Sequence, residues 1–402
     1  MLQGNKNKQI GNFAGQRMAS NHKRWIFRFC HRRGYMYTVS EGGIEAIVPS
    51  ASVSGRTKDV FFNPNMELNR DITVAALRAY RVEGVDTYLD ANAATGIRGV
   101  RAAADGWKVT LVDIEEDAIE LCKSNLSRNG LSGEVYQNDV NIVLRLNRYD
   151  VVDIDPFGSP ISFLDSAFRG AKRLICVTAT DTAPLCGAHF QAGVRRYSSI
   201  PRKTEYHAEV GIRVLLSLMA RMAARYDIGI NPILCHATRH YYRAYVEIER
   251  RVSRANESLE EIGYLHHCTS CLHRDTQNGL ISFPPSICPS CGSTKMTTSG
   301  PIWLGNTASK DFVGRVEGNL TEEMGMAHRA QKIFSRLLEE LEIPTHYDQH
   351  KLCRLWKRPA PSMEIFMQCL SDVGFEVSRT HYGGTTLKTN ATVSEIYEAT
   401  GN

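Results

Sequence analysis

The sequence predicts an α/β protein: a doubly wound parallel sheet followed by a smaller α+β unit. Three observations carry this prediction. Short apolar runs alternate with helical patterns through the middle of the chain, as they do when a helix connects each strand to the next. Five of those runs, 85–90, 108–113, 134–139, 149–155 and 173–181, end in aspartate: Asp90, Asp113, Asp139, Asp155 and Asp181. Beyond residue 255, Cys268, Cys271, Cys288 and Cys291 follow a Cys-x2-Cys-x16-Cys-x2-Cys pattern, which a ribbon of strands and tight turns folds around one metal ion.

A chain of 402 residues, 43% hydrophobic and 23% charged, has ample core for two domains. It contains no apolar run of about eighteen residues and no signal-type segment, so neither a membrane span nor secretion is indicated and the cytoplasm is the expected compartment. The net charge of +5 hides an asymmetry: Lys6, Lys8, Arg17, Lys23, Arg24, Arg28, Arg32 and Arg33 precede the first acidic residue. Residues 1–36 therefore read as a basic extension with the composition of a disordered arm. Three readings of it stand: a tail that touches nucleic acid, a mitochondrial-type presequence, or sequence upstream of a start at Met36.

In sheets of this kind ligands bind at the carboxyl ends of the strands, so the five aspartates are expected along one rim. The first loop, DANAATGIRG (90–99), has only Gly96 and Gly99 where a pyrophosphate cradle needs Gly-x-Gly-x-x-Gly. Asp113, at the end of the second strand, is placed to accept ribose hydroxyls. A nucleoside without phosphates fits that combination, and S-adenosylmethionine is the common one. Asp139 would then face the adenine, accepting from its exocyclic amine.

The fourth run, YDVVDIDPFGS (149–159), puts Asp153 and Asp155 into an apolar strand and follows the second with Pro156, Phe157 and Gly158. Buried carboxylates are costly unless partnered, so such a pair marks a site. An exocyclic amine on a nucleobase is a poor nucleophile because its lone pair is delocalised into the ring. A carboxylate at Asp155 and a backbone carbonyl beside it would localise that pair and then receive the proton. Pro156 fixes the turn and Phe157 offers a face for a flipped base. Asp153, two residues back, is expected to support rather than react.

Residues 203–227 form an amphipathic pattern with Val210, Val214, Leu218 and Met222 at four-residue spacing. INPILCHAT and YYRAYVEIE then read as a hairpin closing the sheet, which ends the first domain, 37–254. The second, 255–402, holds the four-cysteine zinc site, with Pro289 and Gly292 supplying turn chemistry. His266, His267 and His273 stand close enough to replace one cysteine as ligand. In HYDQHKLCRLWKRP (346–359), Lys351, Arg354, Lys357 and Arg358 interleave with Tyr347 and Trp356, which suits RNA as well as it suits a solvated face. Arg195, Arg196, Arg202 and Lys203 form a second basic cluster.

These motifs carry a family resemblance. The segments VSEGGIEAIVP, VFFNPNMELNRDITV, ATGIRGVRAA, DIDPFGSPISFLDSA, TATDTAPLCG, GPIWLG and VSRTHYGGTTLKTNA, with the cysteine pairs, make the chain from Tyr37 onward resemble the tRNA (guanine-26, N2)-dimethyltransferase family in its shorter, archaeal-type form. The resemblance implies a Rossmann-like class I methyltransferase domain and a tRNA-binding C-terminal domain. It implies that Arg70, Arg98, Asp113, Asp139 and Val140 contact S-adenosylmethionine and that Asp155 is catalytic. Read from the residues alone, Arg70 opens the apolar helical stretch DITVAALRAY and Arg98 follows the cofactor loop, and either can meet the methionine carboxylate.

The expected function is methyl transfer from S-adenosylmethionine to N2 of guanine-26 in tRNA, with Asp155, Pro156 and Phe157 as catalytic residues, a structural Zn2+, and no obligate protein partner evident. Two other readings stay open: another nucleic-acid amino methyltransferase, acting on adenine-N6 or a different guanine-N2, and a non-catalytic zinc-ribbon RNA-binding protein.

Overall fold

The computed structural model describes residues 29–31, 34–49, 60–238 and 240–401, so most of the basic extension expected over 1–36 lies outside the described residues. Strands β1 (Phe29–His31), β2 (Gly34–Glu41) and β3 (Ile44–Pro49) form a small antiparallel sheet. Gly42 and Gly43, both with positive φ, make the two-residue turn between β2 and β3, as a right-twisted hairpin requires. Asn63 and Pro64 then start the chain into α1 (Glu67–Tyr80).

From there the chain alternates as expected: β4 (Thr87–Asp90), α2 (Ile97–Ala104), β5 (Lys108–Asp113), α3 (Glu116–Arg128), β6 (Glu134–Gln137), α4 (Val140–Leu146), β7 (Tyr149–Ile154), α5 (Ile161–Gly170) and β8 (Ala171–Ala179). Two short helices, α6 (Thr182–Leu185) and α7 (Phe190–Tyr197), lead into the long α8 (His207–Ala224). The hairpin β9 (Ile228–Thr238) and β10 (Tyr241–Arg250) adds antiparallel strands beside β8. The resulting seven-stranded order is β6-β5-β4-β7-β8-β10-β9. Counted within the sheet this is 3-2-1-4-5-7-6, a mixed sheet whose winding direction reverses between β4 and β7.

Both faces of the sheet are covered, so side chains alternate between two cores. Leu89, Val152, Ile154, Ile175 and Val177 pack towards α5 and α8. Tyr88, Val151, Leu174, Cys176 and Tyr245 pack towards α1 and α2. Every residue of β7 is buried, including Asp150, whose Oδ2 accepts bonds from the Asp86 and Thr87 N–H groups and the Thr87 hydroxyl. Asn125, on the apolar side of α3, is also fully buried: its amide exchanges two bonds with Ile47 and donates to Thr95 O, tying the β2–β3 hairpin to the sheet.

After α9 (Val252–Glu260), strands β11 (Ile262–Cys268), β12 (Arg274–Asn278) and β13 (Met296–Trp303) form the ribbon in the order β12-β11-β13. Ile262, Leu265, Ile302 and Trp303 join the core on the α8 side. Helices α10 (Lys310–Gly318) and α11 (Ala327–Glu339) cross to the other face, where Phe312, Val313 and Phe334 meet α1. Residues 347–399 build a separate small core around Leu352, Phe366, Leu387 and Ile396. Among the described residues no helix is long and apolar enough to cross a membrane.

Candidate active site

The reversal between β4 and β7 leaves a crevice at their carboxyl ends. Asp90 and Asp153 stand in register there, and Ala91 N–H donates to Asp153 O across the strands at 3.0 Å. The cavity measures about 290 Å3, and its wall includes Arg70, Asp90, Asn92, Arg98, Asp155 and Phe157. A larger cavity of about 630 Å3 lies between β9, β10 and α9, lined by Glu247, Glu249 and Glu257, and holds none of the expected site residues.

The loop that opens the crevice explains its two glycines. Gly96 adopts φ +73°, and a Cβ there would stand 2.9 Å from both Cys122 Sγ and Leu111 Cδ2. At Gly99 a Cβ would come within 2.8 Å of Leu111. Both glycines let α2 close onto β5, and Gly99 N–H is taken by Asp90 Oδ2 at 2.9 Å. Burial pushes the Asp90 carboxyl up to about 7; the Asp153 and Asp155 charges add to the push, and Arg98 and the Gly99 N–H oppose it.

Asp155 leaves β7 at the cavity wall and pairs through Oδ2 with Arg98 Nη2. Arg98 is held from behind: its Nη1 donates to Asn69 Oδ1 at 3.0 Å and to Thr73 Oγ1 at 2.7 Å. Asp153 sits deeper, wholly buried, in a fork with Arg243 (2.8 and 2.7 Å) and a bond from Tyr88 OH (2.9 Å). Burial alone would raise the Asp153 carboxyl; Arg243 and Arg98 overcome that and hold it below the usual range. Asp153, expected to support rather than react, is not among the residues that line the cavity. Beyond Asp155 the backbone turns through buried Pro156 to Gly158 at φ +93°. Thr180 clamps this turn, its Oγ1 accepting Gly158 N–H at 2.8 Å and its N–H donating to Gly158 O at 3.0 Å. Phe157 is 80% exposed and meets Phe61 edge-on, ring centroids 5.4 Å apart.

Of the expected site residues, then, Arg70, Arg98, Asp155, Pro156 and Phe157 line one cavity. Asp113, Asp139 and Val140 do not. Asp113 lies behind the loop, where its Oδ2 accepts the N–H of cavity-lining Ala94 at 2.8 Å. Asp139 is exposed and caps α4 through Asn141 N–H, and Val140 faces the α5 side of the core. Arg70 is less free than expected, because Glu41 grips it through two 2.6 Å bonds and also pairs with Arg101. Burial would raise the Glu41 carboxyl, but these two guanidiniums hold it at about 2. Glu41, Phe61, Asn92, Thr180 and His240 join the site or its support without having been expected.

The sequence model of the TRM family, N2,N2-dimethylguanosine tRNA methyltransferase, matches residues 42–400. This chain belongs to that family. It is 56% identical over 366 residues to the tRNA (guanine(26)-N(2))-dimethyltransferase of Haloarcula marismortui, covering 90% of this chain and all of the relative. With the protein of the same name from Halobacterium salinarum the identity is 52% over 367 residues, 90% of this chain and 99% of that one. The structure of Trm1 from Pyrococcus horikoshii in complex with S-adenosyl-L-methionine superposes with a TM-score of 0.81 at 34% identity, covering 90% of this chain and 99% of that chain.

Away from the crevice, the four expected cysteine sulfurs gather within 4.8 Å of one another. Cys268 and Cys291 approach to 3.7 Å, and Cys271 and Cys288 to 3.6 Å. A tetrahedral ion with Zn–S bonds of about 2.3 Å sets its ligand sulfurs roughly 3.8 Å apart, so the donor set fits zinc. The two knuckles share one backbone design: the residue after each pair, Leu272 or Gly292, takes positive φ and returns its N–H to the first cysteine's carbonyl at 2.9 Å. His266 is engaged by both ring nitrogens, with Thr298 and Gln277, and the metal-type cluster among the described residues contains cysteines alone. In the basic tail segment, Trp356 packs edge-on to Tyr397 and Arg358 lies 3.9 Å over the same ring, while Lys351 and Arg354 are exposed.

Proposed function

We propose that this chain transfers two methyl groups in succession from S-adenosylmethionine to the exocyclic N2 of guanine-26 in tRNA, giving N2,N2-dimethylguanosine. One observation carries the reading: in a member of this family, the cavity at the sheet's reversal has a carboxylate in its wall and an exposed phenyl ring at its edge. The residues fit the donor. Asn92 Oδ1 is buried without a hydrogen-bond partner, an acceptor suited to an ammonium N–H. Arg70 and Arg98 offer guanidinium charge to a carboxylate, while Asp113, Asp139 and Val140, which stand outside the cavity wall, are assigned to the ribose and the adenine by the family resemblance.

When bound, the donor supplies a methyl group on a positively charged sulfur. Asp155 accepts an N–H bond from the guanine amine, concentrating the lone pair, and takes the proton as the N–C bond forms and the C–S bond breaks. Between rounds it returns that proton to solvent. Pro156 holds the carboxylate at the cavity, and Phe157 with Phe61 flanks the extruded base. In this reading residues 37–254 are the methyltransferase domain, and 255–402 bind tRNA with one structural Zn2+ on Cys268, Cys271, Cys288 and Cys291.

The test is to incubate an unmodified tRNA transcript with the protein and labelled donor, digest, and identify the nucleoside formed. N2,N2-dimethylguanosine that disappears when guanine-26 is replaced is the expected result. A methylated adenosine, a methyl group elsewhere, or none at all would overturn the proposal.

A further inference from the structure

Behind the cavity lies a hydroxyl that touches everything holding the reactive carboxylate. Thr73, in the middle of α1, is wholly buried and forms no part of the cavity wall. Its Oγ1 accepts from Arg98 Nη1 at 2.7 Å and from Arg243 Nη2 at 3.0 Å. The Asn69 carbonyl at 2.8 Å and the Tyr245 hydroxyl at 2.9 Å are its nearest oxygen neighbours, with Asn69 Oδ1 farther off at 3.4 Å. A hydroxyl has one hydrogen and two lone pairs. The hydrogen goes to one of the two neighbouring oxygens, and both lone pairs go to guanidiniums.

Those two guanidiniums carry like charge in the protein interior, and each serves a different aspartate. Arg243 forks onto Asp153 through both its terminal nitrogens. Arg98 has a choice, since Nη2 pairs with Asp155 while Nη1 lies 3.8 Å from Asp153. Nothing in charge alone sends Arg98 to the outer carboxylate. Thr73, with Asn69 Oδ1, pins Nη1 and so aims Nη2 at Asp155. We propose that Thr73 is a positioning residue for methyl transfer: through Arg98 it fixes one oxygen of Asp155 and leaves the other to accept from the guanine amine. This rests on the proposed function, in which Asp155 receives the amine's proton.

The experiment compares Thr73→Val, Thr73→Ser and wild-type protein on tRNA, with donor affinity measured by calorimetry without tRNA. Thr73→Val keeps the shape and removes the hydroxyl. The expected result is a kcat lower by on the order of 10²-fold, the cost of displacing a reacting group by about an ångström. The donor's Kd rises by much less than kcat falls, because Arg70 still offers its charge to the donor's carboxylate. Thr73→Ser restores the rate. Unchanged kcat in Thr73→Val, a donor Kd that rises in step with the loss of rate, or no rescue by serine would overturn the assignment. Should Thr73→Val not fold, Asn69→Ala removes the other acceptor of the same Arg98 nitrogen and is read in the same way. Wild-type protein inactive on tRNA refutes the proposed function and this inference together; an active wild type with an unaffected Thr73→Val refutes the inference alone.

Discussion

Asp155 is the residue to which the proposed reaction gives the proton transfer, and its surroundings separate that role from any role in folding. It is partly exposed and held by one guanidinium, so Asp155→Asn keeps the shape of the wall. A kcat lower by about 10²–10⁴-fold with an unchanged melting temperature is expected, read by single-turnover methylation beside calorimetric melting. Phe157 gives the complementary case. With 80% of its surface in solvent it supports little core, so Phe157→Ala is expected to leave stability intact and weaken tRNA binding by about 1–3 kcal/mol if a base stacks there. A titration of tRNA affinity by fluorescence anisotropy checks this. Asp155 was legible in sequence because strand, carboxylate, proline and glycine are contiguous. Glu41, Phe61 and His240 were not, since each reaches the site from a distant segment: a carboxylate before a Gly-Gly turn reads as an ordinary surface residue until the fold lays it against Arg70 and Arg101.

Strands and helices were the most legible level, because burial on both faces makes the parallel runs almost wholly apolar and the helices between them carry one apolar side. Each of the five runs expected to be a strand is one, and the hairpin from 230 to 249 closes the sheet as β9 and β10. What alternation cannot express is polar burial. Asp150, Asp153 and Asn125 interrupt apolar faces, and their partners Thr87, Arg243 and Ile47 lie 63, 90 and 78 residues away. The ribbon is the opposite case, its turns written locally in the Cys-x-x-Cys spacing. Metal analysis is expected to find one zinc per chain. Cys271→Ser, or prolonged exposure to a strong chelator, is expected to lower the melting temperature, because an ion shared by the four sulfurs would tie together two knuckles that otherwise meet through the Ser270–Ser293 and Thr269–Lys295 hydrogen bonds.

At the scale of the whole molecule, buried imidazoles set the response to acid. Burial, reinforced by the His381 and Arg243 charges, pushes His236 down to about 3. Burial also pushes His267 down to about 4, against the pull of Glu205. In the unfolded chain both bind protons near pH ~6.5. Their contribution to stability is therefore complete above that pH and is lost as the pH falls towards the folded values, at about 1.4 kcal/mol per pH unit for each proton. Asp90 runs the other way: raised to about 7 from 3.8, its contribution is present at low pH and lost as the pH rises through about 7. Melting temperature is expected to drop between about pH 6.5 and pH 4, and His236→Asn to remove one proton's share of the slope. The cores on the two faces of the sheet are completed by Trp303 and Ile302 on one side and by Phe312 and Phe334 on the other, all from beyond residue 254. A chain cut there would present two greasy surfaces to water, and expression of 37–254 alone is expected to give insoluble protein, checked by fractionating the lysate. Recombination between genes therefore has no clean seam to use at this point: the stretches on either side of residue 254 must be inherited as a pair.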